Sequence, residues 1–184
     1  YFDHAGLYSF GRQPEAVFWN LQQLTGWRSV VAATEPLVEA LNGFAAIYRS
    51  ELTAAMLRRL GLQPRNADDD AGLVQAMFRA FAEGDERLRW EPFFFDWFCG
   101  DGVRALASER GEIYAQDGFA EFRTRVSGHQ ADRPERLADA YFQRREPEEL
   151  LYDEIEAIWA PIAERDDWTA FDAKLASIEV ARLA

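Results

Sequence analysis

Cysteine, histidine and lysine are all scarce in this chain of 184 residues, and each scarcity removes a class of chemistry. The single cysteine, Cys99, cannot close an internal disulfide or supply a thiolate zinc site. Lys174 is the one lysine among 20 basic residues, which removes most candidates for Schiff-base catalysis. The two histidines, His4 and His129, form no HExxH pair, so two-histidine metal chemistry is excluded. No GxxxxGK[ST], GxGxxG or GxSxG string occurs, so the phosphate-cradling loops and the nucleophile elbow are missing. Apolar runs such as 92–95 fall far short of the roughly 18–20 residues a membrane span needs. No charged-then-apolar signal segment opens the chain. An excess of positive charge is missing too: 32 acidic residues face 20 basic ones, for a net charge of -12. Binding to nucleic acid relies on cations that displace condensed counterions, and an anionic membrane repels the same charge sign. The expected partners therefore include neither nucleic acid nor membrane, and the lone thiol suits a reducing, cytoplasmic setting.

What is present is enough to fold. Hydrophobic residues make up 48% and charged residues 28%, a composition that can build a core and argues against disorder. A domain near this size buries about 70% of the surface its unfolded chain exposes. The first residue is Tyr1 rather than a methionine, which reads as a processed protein or a piece of a longer one.

Helical periodicity dominates, and no run shows sustained strand alternation, so the fold class is all-α, with about seven to nine helices. Residues 1–13, with Gly6, Gly11 and several aromatics, read as an extended lead-in. Pro14 suits the first turn of a helix that carries Val17, Phe18, Leu21 and Leu24 and stops at Gly26. The stretch from Thr34 to Leu60 predicts one helix about 40 Å long, with Thr34 as N-cap and Gly61 as the terminating residue. Asp68, Asp69 and Asp70 open the next helix, whose inner face holds Leu73, Met77, Phe78 and Phe81. Pro92 marks a break or a helix start in the aromatic stretch from Leu88 to Phe98. Two shorter helices are expected near 103–116 and 118–127. Residues 128–134 read as a linker or surface loop, in which His129 would be solvated. A C-terminal helical hairpin is expected over 135–184, packed on the segment 1–127, with one helix over 147–164 and a last one capped by Asp167.

No catalytic, cofactor-binding or metal site emerges from these residues. The three consecutive aspartates favour a helix start by themselves and lack the alternating ligands, Gly and Glu of a calcium loop. Glu149, Asp153 and Glu156 at i, i+4 and i+7 read as a solvated acidic face, since the Glu-x-x-His pairs of a di-iron bundle are missing. The cluster Trp90, Phe93, Phe94, Phe95, Trp97 and Phe98 reads as core or as a contact with missing chain rather than as a ligand pocket. Together with the aromatic lead-in it predicts a large exposed apolar patch on the isolated chain. Asp3, His4 and Ser9 hold the letters of a hydrolase triad but not its geometry. Cys99 lacks a neighbouring cation that would activate it and reads as a buried, inert thiol.

One set of strings says more. Asp3-His4-Ala5-Gly6, Tyr8-Ser9-Phe10, Gln13-Pro14 and Trp19-Asn20-Leu21 follow one another in the opening segment. Arg59-Leu60-Gly61-Leu62 comes later, and Pro147-Glu148-Glu149 leads through Ile158-Trp159 to Asp166-Asp167-Trp168. In this order the strings resemble the selenoprotein O family, whose members have a pseudokinase fold and transfer AMP from ATP to protein hydroxyls. The resemblance implies that this chain is the helical C-terminal portion of a protein-kinase-like fold. It implies that the nucleotide-gripping, catalytic and metal-binding groups lie upstream, so that no family catalytic residue falls on any position here. Mg and ATP are then cofactors of the parent protein and not of this portion. The implied partners are the missing N-terminal kinase-like lobe and the parent's client proteins. The chain ends in Arg182-Leu183-Ala184 without the C-terminal cysteine or selenocysteine of some members, and the Asn-Pro…Arg-Asn string of many members is missing. The rival reading is a stand-alone all-helical interaction module without catalytic activity.

Overall fold

The computed structural model describes residue 6 and residues 9–84 and 87–183. Among these the regular secondary structure is all helical, with no strand and one isolated antiparallel bridge, Leu62 to Ala131. There are ten α-helices, and α7 is a single turn of four residues. The all-α expectation holds. The chain divides into two compact units, Tyr1–Leu52 and Thr53–Ala184.

The first unit holds α1 (Gln13–Arg28), α2 (Thr34–Asn42) and the start of α3 (Phe44–Arg59). Pro14 sits in the first turn of α1, where its missing N–H costs nothing. Most of the expected extended lead-in lies outside the described residues, but residues 10–12 form a 3-10 turn that runs into α1. The helix also continues through Gly26 to Arg28 rather than stopping there. Packing joins α1 to α2, and Phe18 lies 5.4 Å from Phe44 between ring centres. Neither α1 nor α2 has a buried residue among those described.

The single helix expected over 34–60 is interrupted at Gly43. The backbone there stays right-handed (φ -70°, ψ -20°), and the Gly43 N–H is shared between the carbonyls of Glu39 and Ala40, each 3.2 Å away. The interruption is thus a loosened turn rather than a stop, at a glycine, whose backbone freedom disfavours a helix interior. Thr34 is the first helical residue and not the N-cap; Ala33 takes that place without a side-chain bond.

At the other end α3 closes as the sequence predicts. Gly61 adopts φ +63°, the Leu62 N–H bonds to the Leu57 carbonyl (3.0 Å) and the Gly61 N–H to that of Arg58 (3.1 Å). This is the paired 6→1 and 5→2 pattern of a Schellman end. A side chain at Gly61 would lie 2.8 Å from Phe98 Cε2 and 3.1 Å from the Cys99 nitrogen, so close approach as well as φ demands glycine. The same turn carries tertiary bonds: the Leu60 carbonyl accepts from Cys99 N–H and the Gly61 carbonyl from Asp132 N–H, both at 2.7 Å.

The core of the second unit forms around α4 (Ala67–Ala82) and α5 (Trp90–Asp96). Asn66 caps α4, its side chain accepting from the Asp69 N–H at 2.9 Å. Leu73, Val74, Ala76, Met77 and Ala80 form the buried face, and α4 packs on α8 (Ala120–Val126). Phe78, expected on that face, is 38% exposed. Pro92 proves to mark a helix start, in the first turn of α5. Phe93 is fully buried, with Phe81, Phe122 and Tyr114 ring centres 5.0, 5.2 and 6.1 Å away. The predicted exposed patch is not found at 93–98: Phe93, Phe94 and Trp97 lie in the core walled by α4 and α8, and Phe95 and Phe98 are buried in a second cluster with Phe142.

Beyond α5, the chain turns through Cys99 and Gly100, both at positive φ, into α6 (Gly102–Ala107), capped by the Asp101 side chain. A short α7 (Gly111–Tyr114) precedes α8, so the helix expected near 103–116 is broken at 108–110. The C-terminal hairpin comprises α9 (Tyr152–Arg165) and α10 (Thr169–Leu183), and Asp167 accepts from the Thr169 N–H at 3.1 Å at the head of α10. No residue of either helix is buried.

Candidate functional site

Three polar constellations sit on this scaffold. The most buried joins Asp96 at the end of α5 to Arg110 and Tyr114. Arg110 donates from Nε to Asp96 Oδ2 (2.7 Å) and from Nη2 to Oδ1 (3.3 Å), and its Nη1 reaches Glu146 at 3.0 Å. Tyr114 donates its hydroxyl to Asp96 Oδ2 at 2.9 Å. Burial works against the Arg110 charge, but the bonds to Asp96 and Glu146 more than offset it and hold the guanidinium above its usual range. Burial, reinforced by the Asp96 carboxylate, pushes the Tyr114 hydroxyl well up. Neither group is poised to exchange a proton near neutrality. Beside them Arg104 donates to the carbonyls of Phe95, Asp96 and Phe142 and stacks over the Phe95 ring at 4.3 Å. The arrangement fastens α5, α6 and α7 to the segment 142–146.

The second constellation lies at the N-terminal end of α4. His129 Nε2 is 3.0 Å from Asp70 Oδ1, and its Nδ1 is 3.0 Å from the Arg125 carbonyl. Asp70 also accepts from the Arg65 N–H at 3.0 Å. The His129 side chain is 2% exposed, so the solvated histidine expected from sequence is a buried, doubly bonded one. Its partner is 59 residues away, on α4, and no local pattern could reveal it. A polar cleft of about 450 Å³ opens beside the pair, lined by Arg65, Asp69, Glu121, Thr124, Arg125 and Gly128. Its charges are already matched: Arg65 pairs with Asp69 and Arg125 with Glu121.

The third binds α10 to the segment before α9. Lys174 Nζ reaches Glu148, the Glu149 carbonyl and Glu154, and Ser177 donates to Glu148. Burial raises the Glu148 carboxyl, yet the bonds from Lys174 and Ser177 bring it below the usual range overall. Glu149 does not share a helical face with Asp153 and Glu156, because α9 begins only at Tyr152. It pairs with Arg89, and burial raises its carboxyl. The helix starts late because tertiary partners take its expected first turn: Tyr141 Oη accepts from the Glu148 N–H, and Lys174 takes the Glu149 carbonyl.

Among the described residues no group of three or more His, Cys, Asp or Glu side chains could hold a metal ion. Cys99 is buried, with its sulfur 3.5 Å from the Asp132 carbonyl, and burial pushes its pKa up. Burial outweighs the opposing pull of the Arg136 and Arg133 charges, so the thiol is buried as expected and is not activated toward thiolate. Asp3 and His4 lie outside the described residues. Asp96 was the residue most open to discovery from sequence, since a charge inside the run Phe93–Phe98 demands a buried partner. Nothing in the sequence singles out Arg110 from the other arginines.

The family model described as protein adenylyltransferase SelO matches residues 1–179. The chain belongs to the SelO family. A protein nucleotidyltransferase YdiU from Synechocystis is 25% identical over 94% of this chain and 38% of its own length. Another YdiU, from Pseudomonas putida, is 37% identical over 45% of this chain and 17% of its own length. The chain thus spans well under half the length of these relatives. Three of the SelO-like strings fall at structural junctions. Gln13 and Pro14 start α1, Arg59 to Leu62 form the Schellman end of α3, and Asp166 to Trp168 make the turn between α9 and α10. No described helix is long and apolar enough to cross a membrane.

Proposed function

We propose that this chain is the C-terminal helical part of a protein adenylyltransferase with a kinase-like fold. The parent moves AMP from ATP to Ser, Thr or Tyr hydroxyls of client proteins, and this part supports the reaction without performing it. Nucleotidyl transfer depends on positioned metal ions and free carboxylates to hold them. The observation that carries the reading is that the buried carboxylates here are spoken for: Asp96 by Arg110 and Tyr114, Asp70 by His129 and the Arg65 N–H. Asp69, the other inward member of the acidic run, is held by Asn66 and Arg65. These residues do not fit Mg·ATP, and no step of the reaction is assigned to them. The family match over 1–179 supports the adenylyltransferase side of this reading. The remaining partners are then the kinase-like lobe of the same protein and its clients.

Titration calorimetry of the 184-residue chain with Mg·ATP tests the reading. No measurable heat of binding is expected, and a dissociation constant in the low micromolar range overturns it. Genomic sequence just upstream of Tyr1 separates it from the stand-alone interaction module: a kinase-like Asp-Phe-Gly or Asp-Tyr-Gly element supports the enzyme, a start codon the module.

A further inference from the structure

The inner faces of α9 and α10 form an apolar groove of about 300 Å³. Ile155, Ile158, Trp159 and Ile162 line it from α9, and Phe171, Leu175 and Ile178 from α10. These are the positions the periodicity marks as inward, yet Trp159 remains 57% and Leu175 49% exposed. Two helices alone cannot cover both of their stripes, and a third element is the usual way to do so.

The charge around the groove identifies the element. Between 148 and 183 there are ten carboxylate residues and three basic ones. Lys174 and Glu154 bridge the two helices and occupy the side on which they meet. Glu156 follows Ile155 by one residue and Asp172 follows Phe171 by one, about 100° round the helix from those residues and about 60° from Trp159 and Leu175. Helical geometry therefore places them on the side of each stripe away from Glu154 and Lys174; both are exposed and form no ion pair among the described residues. Arg165 and Arg182, the other basic residues, are paired with acids of their own helices or turn. A second copy of this hairpin would bring like charges edge to edge.

We propose that this groove is a docking site for a cationic amphipathic helix of a protein partner. Its apolar residues recur at i, i+3, i+4 and i+7, with Lys or Arg on both flanks. Three helices packed this way bury the Trp159, Phe171 and Leu175 side chains, and the flanking cations meet Glu156 and Asp172. The inference is independent of the adenylyltransferase reading.

The test uses fluorescein-labelled helical peptides of about 14 residues, matching the length of α9. One is built from Leu and Lys with a single apolar face, one is its Leu and Glu counterpart, and one has the Lys composition scrambled so that no face forms. Fluorescence anisotropy with the 184-residue chain should show saturable binding of the first, about tenfold or more tighter than of the other two. The exposed double substitution Glu156→Lys with Asp172→Lys should weaken it about tenfold. Glu35→Lys with Glu39→Lys, which changes net charge equally but lies on α2, should leave it unchanged. Trp159→Ala should weaken it with the far-UV circular dichroism intact. Equal binding of the scrambled peptide, or equal loss with the α2 variant, overturns the site in favour of unspecific attraction. Light scattering that shows a dimer abolished by Leu175→Asp overturns it in favour of a second copy. A peptide that binds this chain but not a longer parent protein overturns it in favour of an intramolecular cover.

Discussion

Helices α1 and α5 are built from similar material and end in opposite environments. The first carries Val17, Phe18, Trp19, Leu21, Leu24 and Trp27, yet none of its described residues is buried, and Trp27 is 82% exposed. The second buries Pro92 through Asp96. Apolar content does not separate them; neighbours do. Within its unit α1 packs on α2, and its apolar residues point all round the helix rather than along one stripe. By contrast α5 sits among α4, α7 and α8, whose rings enclose Phe93. Burial is a property of an arrangement and is supplied by partners that arrive from 12 to 29 residues away in sequence.

The contrast can be broken most directly at Phe93. Phe93→Ala removes a fully buried ring and should cost about 3–5 kcal/mol in urea unfolding. Arg110→Ala should cost a comparable or slightly smaller amount, about 3–5 kcal/mol, because it leaves the buried Asp96 carboxylate without its cation. The Lys174 constellation should give a smaller effect with a pH signature. Since the folded Glu148 carboxyl lies below its ordinary range, the stability it contributes is present above the unfolded glutamate value and is lost as pH falls through the lower folded one. Urea unfolding of the wild type and of Glu148→Gln should therefore differ at neutral pH and converge in acid. The smallest effect belongs to α1: Trp27→Ala should lie within about 0.5 kcal/mol of wild type. A loss at Trp27 as large as that at Phe93 would erase the distinction between the two helices.

Much of the fold could be read in advance where local chemistry decides it. Pro14 and Pro92 sit at helix starts because a first turn tolerates their missing N–H. Gly61 ends α3 because only glycine accepts both its φ and the proximity of Phe98. The long helix over 34–60 was misread at Gly43, where the backbone dihedrals stay helical and only the hydrogen bonding loosens. The site-level expectations were less legible. Glu149 was assigned to a helix whose first turn is claimed instead by Tyr141 and Lys174, and His129 was assigned to solvent although Asp70 holds it inside.

From the order of its residues alone, this chain is committed to helices, to such ends as the Schellman turn at Gly61, to an excess of acidic charge and to a single thiol that can close no internal disulfide, because each depends on groups within a few residues or on composition. Which aromatics form the core, which arginine neutralises Asp96 and which apolar stripes stay open along α9 and α10 were decided only in three dimensions. Those outcomes depend on contacts between residues far apart in the chain, where burial and charge pairing are set by whatever the fold brings alongside.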